Sequence, residues 1–129
     1  MTGPAPLLLG SLRGVHAGWA WVVVVGNGLA GAWALGAHWR ESWRVPALWW
    51  FTAFVEAAVV AQAALGVAVV AGQDVPGPRF HMFYGFLAVV SVGILYSYRQ
   101  QLRRRVHLLY GFGGLFVMGL AIRAMVLHR

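Results

Sequence analysis

The sequence predicts an all-α polytopic membrane protein: one domain over residues 1–129, folded as an up-down bundle of four transmembrane helices. Three observations predict it. Apolar runs at residues 15–37, 46–71, 80–98 and 106–127 occupy nearly the whole chain, and about 20 residues at 1.5 Å each cross the ~30 Å hydrocarbon core of a bilayer. Composition is 60% hydrophobic and only 10% charged, against about 25% charged in a typical soluble domain. The connections at 38–45, 72–79 and 99–105 are short, which makes consecutive helices antiparallel neighbours.

Residues 1–14 carry neither a basic leader nor an Ala-x-Ala cleavage site, so they read as a short extramembrane lead-in rather than a cleaved signal peptide. On the first helix Gly28, Ala32 and Gly36 recur at helical spacing. The second begins at Pro46, where the missing N–H is harmless, and carries a stripe of Ala53, Ala57, Ala61, Ala64 and Ala68. Both series predict seams where helix backbones approach closely in lipid. The sequence Asp74-Val75-Pro76-Gly77-Pro78 predicts a rigid turn before the third helix. Trp19 and Trp21 at one end, with Trp39, Trp43, Trp49 and Trp50 at the other, predict two interfacial belts.

Net charge is +7 and every basic residue other than histidine is arginine. The arginines sit at helix ends and in loops, where they meet headgroups and set orientation; no basic face tracks a phosphate backbone, which excludes nucleic acid as a partner. Arg40 and Arg44 follow the first helix and Arg99, Arg103, Arg104 and Arg105 the third, on one side of the bundle, whereas Arg13, Arg79 and Arg129 lie on the other. The positive-inside rule then puts both termini outside the cytoplasm. Cysteine is absent, which removes disulfides, thiolate metal sites and a Cys nucleophile.

Polar residues inside the spans form two expected layers. Asn27, Glu56 and Ser91, one on each of the first three helices, lie ~18, ~15 and ~16 Å below the surface on the terminal side, counted at the helical rise. A carboxyl at that depth needs a partner, and Asn27 and Ser91 are the candidates. Glu56 is accordingly a proton-coupling candidate, or equally a structural carboxyl that fixes helix register. Near the terminal-side surface, His16 and His81 open the first and third helices, with Arg13 and Arg79 beside them. Gln62 and Arg123 reach the same level, ~6 and ~5 Å deep.

The outer layer suits a b-type haem. The first and third helices of an up-down bundle are diagonal, and interaxial distances of 8–10 Å make that diagonal roughly 11–14 Å. Histidine is a standard axial ligand, and Arg13, Arg79 and Arg123 suit two propionates near the aqueous edge. The same residues also suit an interfacial role, with the arginines snorkelling to headgroups. His38 and His107, at the other end, read as headgroup-facing.

The series Gln62-Ala-Ala-Leu65-Gly66, a turn at Gly72 and His81 opening the next helix resembles a hairpin from one half of haem A synthase. The start Val15-His16-Ala-Gly-Trp19 is similar to small bacterial four-helix cytochrome b-like membrane proteins. The resemblance covers about half the chain in short motifs. It implies a four-helix unit in a bacterial cytoplasmic membrane with haem-ligating histidines on paired helices. This chain departs from the synthase in having one unit instead of two, and no His three residues after Glu56, so synthase activity is not implied. Small multidrug resistance transporters are similar in length and helix number and use one membrane-embedded Glu, but theirs lies in the first helix and Glu56 lies in the second.

No nucleophile–base pair, P-loop or metal-ligand spacing is present in the sequence, so independent catalysis is not expected. The expected function is an accessory or assembly subunit of a respiratory or other redox membrane complex, carrying one haem b between His16 and His81 and partnered by lipid, other membrane subunits or further copies of itself. The alternatives are a small proton-coupled transporter built on Glu56 and a purely structural packing subunit.

Overall fold

The computed structural model describes residues 4–73 and 77–127. It contains four helices long and apolar enough to cross a membrane: α1 (Pro4–Trp39), α2 (Pro46–Ala71), α3 (Arg79–Tyr98) and α4 (Val106–Leu127). Short 3-10 turns at Glu41–Trp43 and Arg103–Arg105 complete the connections. The expected turn residues Asp74, Val75 and Pro76, and the terminal Arg129, lie outside the described residues.

Each helix start has a local cause. Pro46 occupies the first turn of α2 after an extended Val45, and Pro78, also extended, stands immediately before α3; the residue before a helix adopts such angles, and proline at the start gives up only an N–H that has no acceptor there. Helix α1 is longer than the apolar run at 15–37 from which it was expected. Its 36 residues rise ~54 Å, well beyond the ~30 Å of a hydrocarbon core. Within the lead-in, helix runs back from the first apolar run to Pro4. Extending an existing helix needs no new nucleus, and Leu7, Leu8, Leu9 and Leu12 are strong helix formers that offset Gly10 and Gly14.

The helices form a ring in which α1 packs on α2 and α4, and α4 on α3; α2 and α3 make the sparsest contact of the neighbouring pairs. Two apolar clusters hold the ring. One joins Val23, Ala58, Val59, Ala88, Val117 and Leu120, from all four helices. The other sits toward the loop-arginine end and joins Ala34, Ala37, Leu48 and Tyr110. Trp19 is not an interfacial belt residue: its indole N–H donates to the Ala58 carbonyl at 3.0 Å, across the α1–α2 contact. Trp21, Trp39, Trp43 and Trp50 are exposed as an interfacial belt requires.

The alanine stripe of α2 is a second correction. Ala53, Ala57, Ala61, Ala64 and Ala68 all face outward. The close seam instead joins Gly31 on α1 to Gly111 and Gly114 on α4. A Cβ on Gly31 would stand 2.9 Å from the Gly111 carbonyl oxygen, and one on Gly111 would stand 2.9 Å from Leu35 Cα. Backbones this close bring the many weak dispersion contacts that associate helices in lipid.

Candidate functional site

The fold opens a chamber at each end of the α2–α3 gap. The one at the terminal end holds the two histidines. His16 lies on α1, where Gln62 of α2 donates its Nε2–H to the His16 carbonyl at 2.7 Å. Gly66, one turn further along α2, leaves room for the imidazole: a Cβ there would stand 3.1 Å from His16 Cε1. His81 lies in the first turn of α3, and its Nδ1 is 2.8 Å from the carbonyl oxygen of Ala124 on α4. A carbonyl only accepts, so Nδ1 donates to it, the hydrogen bond by which metal-ligating histidines are oriented when Nε2 binds the metal.

The two imidazoles meet across the diagonal with ring centroids 5.8 Å apart and planes at 86°. Beside them lies a cavity of about 590 Å³ reached by all four helices. Its volume is within the ~300–1,000 Å³ range of ligand pockets. The space exists because small residues line it: Ala63 and Gly66 on α2, Gly85 and Ala88 on α3, Ala121 and Ala124 on α4. Gly85 would meet nothing within 4 Å even with a Cβ. Buried Gln62 Oε1, on the cavity lining, has no hydrogen-bond partner among the described residues.

The expected outer layer is partly assembled. His16, Gln62 and His81 line the cavity together, and Arg13, Arg79 and Arg123 are not on its lining. Arg13 donates to Gln73 Oε1 at 2.8 Å. The Arg123 guanidinium sits 5.9 Å from the Tyr84 ring centroid, and Arg79 is exposed at the start of α3.

The central layer is not the expected three-helix network. Asn27 donates to the Val23 carbonyl and Ser91 to the Leu87 carbonyl, both at 2.7 Å and both within their own helix. An amide or hydroxyl can reach the carbonyl four residues back without crossing to a neighbouring helix. Asn27 and Glu56 do share the wall of a central void of about 10 Å³, but Ser91 does not reach it. That volume is at or below what one water needs.

A second chamber, a crevice of about 440 Å³, opens at the loop-arginine end between α2, α3 and the start of α4. Glu56 is on its lining with Thr52, one turn earlier on the same face of α2. Trp49, Tyr96 and Tyr110 supply aromatic surface, and Arg99 and Arg103 complete it. Glu56 Oε1 and Thr52 Oγ1 are both buried without a hydrogen-bond partner among the described residues. Glu56 is marked in the sequence as a lone carboxyl in an apolar run, whereas the only signal for Thr52 is its spacing of four from Glu56.

Among the described residues no group of three or more His, Cys, Asp or Glu side chains could hold a metal ion. Two facing imidazoles without a third protein ligand suit haem iron, whose remaining donors come from the macrocycle. Comparison with protein-family models gives no match, nor does comparison with curated proteins or with solved structures. Functional assignment therefore rests on this chain's own residues.

Proposed function

We propose that this protein is a haem-binding subunit of a redox membrane complex, with His16 and His81 as the axial ligands of one b-type haem. The carrying observation is the pair of imidazoles 5.8 Å apart across the bundle diagonal, beside an apolar cavity. Two nitrogens each about 2.0–2.1 Å from a shared metal place the ring centroids roughly 6 Å apart, so the separation fits the group. The Ala124 carbonyl orients His81 and fixes its tautomer; Gln62 anchors the α1 turn that carries His16. Arg13, Arg79 and Arg123 would pair with the propionates of a bound haem, and the apolar cavity lining would exclude water from it. Such a haem supplies one-electron transfer when bound.

The rest of the chain supports a subunit rather than a free-standing enzyme. Nearly all of its length is helix suited to the membrane, and the alanine face of α2 is left for lipid or for neighbouring subunits. The arginine asymmetry supports an orientation with both termini outside the cytoplasm; a bacterial cytoplasmic membrane is what the resemblance implies.

The test is a reduced-minus-oxidised absorption spectrum of the purified protein, with haem quantified per chain. We expect a b-type signal near one haem per chain, lost in His16→Ala and His81→Ala while helix content is retained. A colourless protein after expression with ample haem supply overturns the assignment.

Proton-coupled transport through Glu56 is the second reading, favoured by a buried carboxyl oxygen that borders a crevice reaching one end of the bundle. It is weakened by the closed packing of Val55, Val92, Leu95 and Val117 around the small central void. Proton flux into proteoliposomes, abolished by Glu56→Gln, would establish it.

A further inference from the structure

The crevice at the loop-arginine end is separate from the histidine cavity, and the proposed haem makes no use of it. Its polar groups are arranged at two depths. At the floor are Thr52 Oγ1 and Glu56 Oε1, one helical turn apart, both buried and unpartnered among the described residues. Thr52 is only 8% exposed, and its hydroxyl has not turned back onto its own helix as those of Ser91 and Ser97 have. A buried polar atom left unpaired is expensive in an apolar setting, so an unpaired pair facing one chamber marks a place for a bonding partner. Toward the mouth, the Arg99 guanidinium lies over the Tyr96 ring, 3.6 Å from its centroid. Trp49 and Tyr110 stand edge to face, 5.5 Å between centroids, as aromatic walls.

We propose that this crevice binds the headgroup of a quinone-class redox lipid. A flat ring suits the aromatic walls. Its two opposed oxygens match the two polar depths, one accepting from the Thr52 hydroxyl and from Glu56 in its protonated form at the floor, the other accepting from Arg99. The apolar tail leaves through the sparse α2–α3 contact into lipid. An anionic phospholipid headgroup would use the arginines at the mouth and leave the floor pair unanswered. The proposal does not rest on haem ligation by His16 and His81, and its test reads no haem signal.

The test uses the full chain in phosphatidylcholine nanodiscs and a photoreactive azido-benzoquinone with a decyl tail, the labelled residues being mapped by mass spectrometry. Labelling is expected on the α2 and α3 segments around Thr52 and Tyr96, and to be competed by unlabelled decyl-benzoquinone but not by phosphatidylglycerol. Thr52→Val should weaken competition about fivefold, the effect of one lost neutral hydrogen bond, whereas Glu56→Gln, whose amide still donates, should retain it. Thr52→Ser should restore wild-type competition, which a merely structural role for the methyl group would not predict. Labelling spread evenly over lipid-facing residues overturns the proposal. So does competition by phosphatidylglycerol as strong as by the quinone, which would mark an anionic-lipid site. Thr52→Val and the wild-type competition decide the matter even if Glu56→Gln does not fold.

Discussion

Gly31 on α1 and Gly114 on α4 touch backbone to backbone. A Cβ built on Gly114 would stand 2.9 Å from Gly31 Cα and 3.1 Å from the Asn27 carbonyl oxygen. Neither obstacle is the end of a flexible side chain, so a larger residue must push whole helices apart. Gly114→Val and Gly31→Val are expected to destabilise the bundle by about 3 kcal/mol, the upper range of overpacking penalties. Ala61→Val, on the outward face of α2, is expected to change stability by less than about 0.5 kcal/mol, as exposed substitutions do. Unfolding titrations in mixed micelles compare the three; equal stability of all three would show that the glycine seam is not a tight contact.

That seam also marks the limit of what the sequence disclosed. The four spans were legible because length and apolar composition alone decide them, and Pro46 gave the start of α2 outright. Choosing the inward face was a different problem. In water a helix hides its apolar side, but in lipid both sides are apolar, so periodicity carries little information about burial. The alanine series on α2 and the glycines of α1 and α4 offered equally regular small-residue rows, and only the tertiary arrangement separates them. His16 and His81 could be paired in advance because each stands at the terminal-side end of an apolar run on diagonal helices, although α1 runs on past His16 to Pro4 and only His81 lies in a first turn. The bonds of Asn27 and Ser91 could not, because a local carbonyl four residues back outcompetes a distant partner. Thr52, a β-branched residue inside an apolar run, had only its spacing of four from Glu56 to mark it.

Arg44 was legible only as a loop charge, yet it closes the end of α1. Its Nε–H donates to the Ala37 carbonyl at 2.7 Å and its Nη2–H to the His38 carbonyl at 2.6 Å, two of the acceptors that a helix end leaves over. Removing both charge-assisted bonds in Arg44→Ala is expected to destabilise by about 1–2 kcal/mol, below the full value for two such bonds because the site is partly exposed. Arg44→Lys keeps the charge but not the fork and should fall between wild type and Ala. Thermal unfolding of the three proteins in one detergent checks the order; a lysine variant as weak as alanine would assign the effect to geometry alone.

The proposed orientation makes a prediction of its own. With Arg40, Arg44, Arg99, Arg103, Arg104 and Arg105 held in the cytoplasm, an alkaline phosphatase fused after Arg129 should be active and a green fluorescent protein at the same place dark. Replacing the four arginines at 99 and 103–105 by Gln leaves only Arg40 and Arg44 on that side, against Arg13, Arg79 and Arg129 on the other. The chain should then lose its preference and give both signals. A fluorescent wild-type fusion would invert the topology and place the histidine cavity on the cytoplasmic side.

Gly66 gives the sharpest test of the histidine cavity, because it faces the His16 ring rather than the core. A methyl group there would stand 3.1 Å from His16 Cε1 and 3.7 Å from both ring nitrogens, so the imidazole must give way by a few tenths of an ångström. Ligand geometry tolerates little displacement, and sites loosened by about 1 Å commonly fail. Gly66→Ala should therefore lower haem retained per chain, and Gly66→Val should remove it, with the melting temperature of the haem-free bundle nearly unchanged. Gly85 lines the same cavity but has open space where its Cβ would be, so Gly85→Ala should leave haem content at the wild-type level. If Gly66→Val retained full haem, His16 could not be the ligand whose position Gly66 protects.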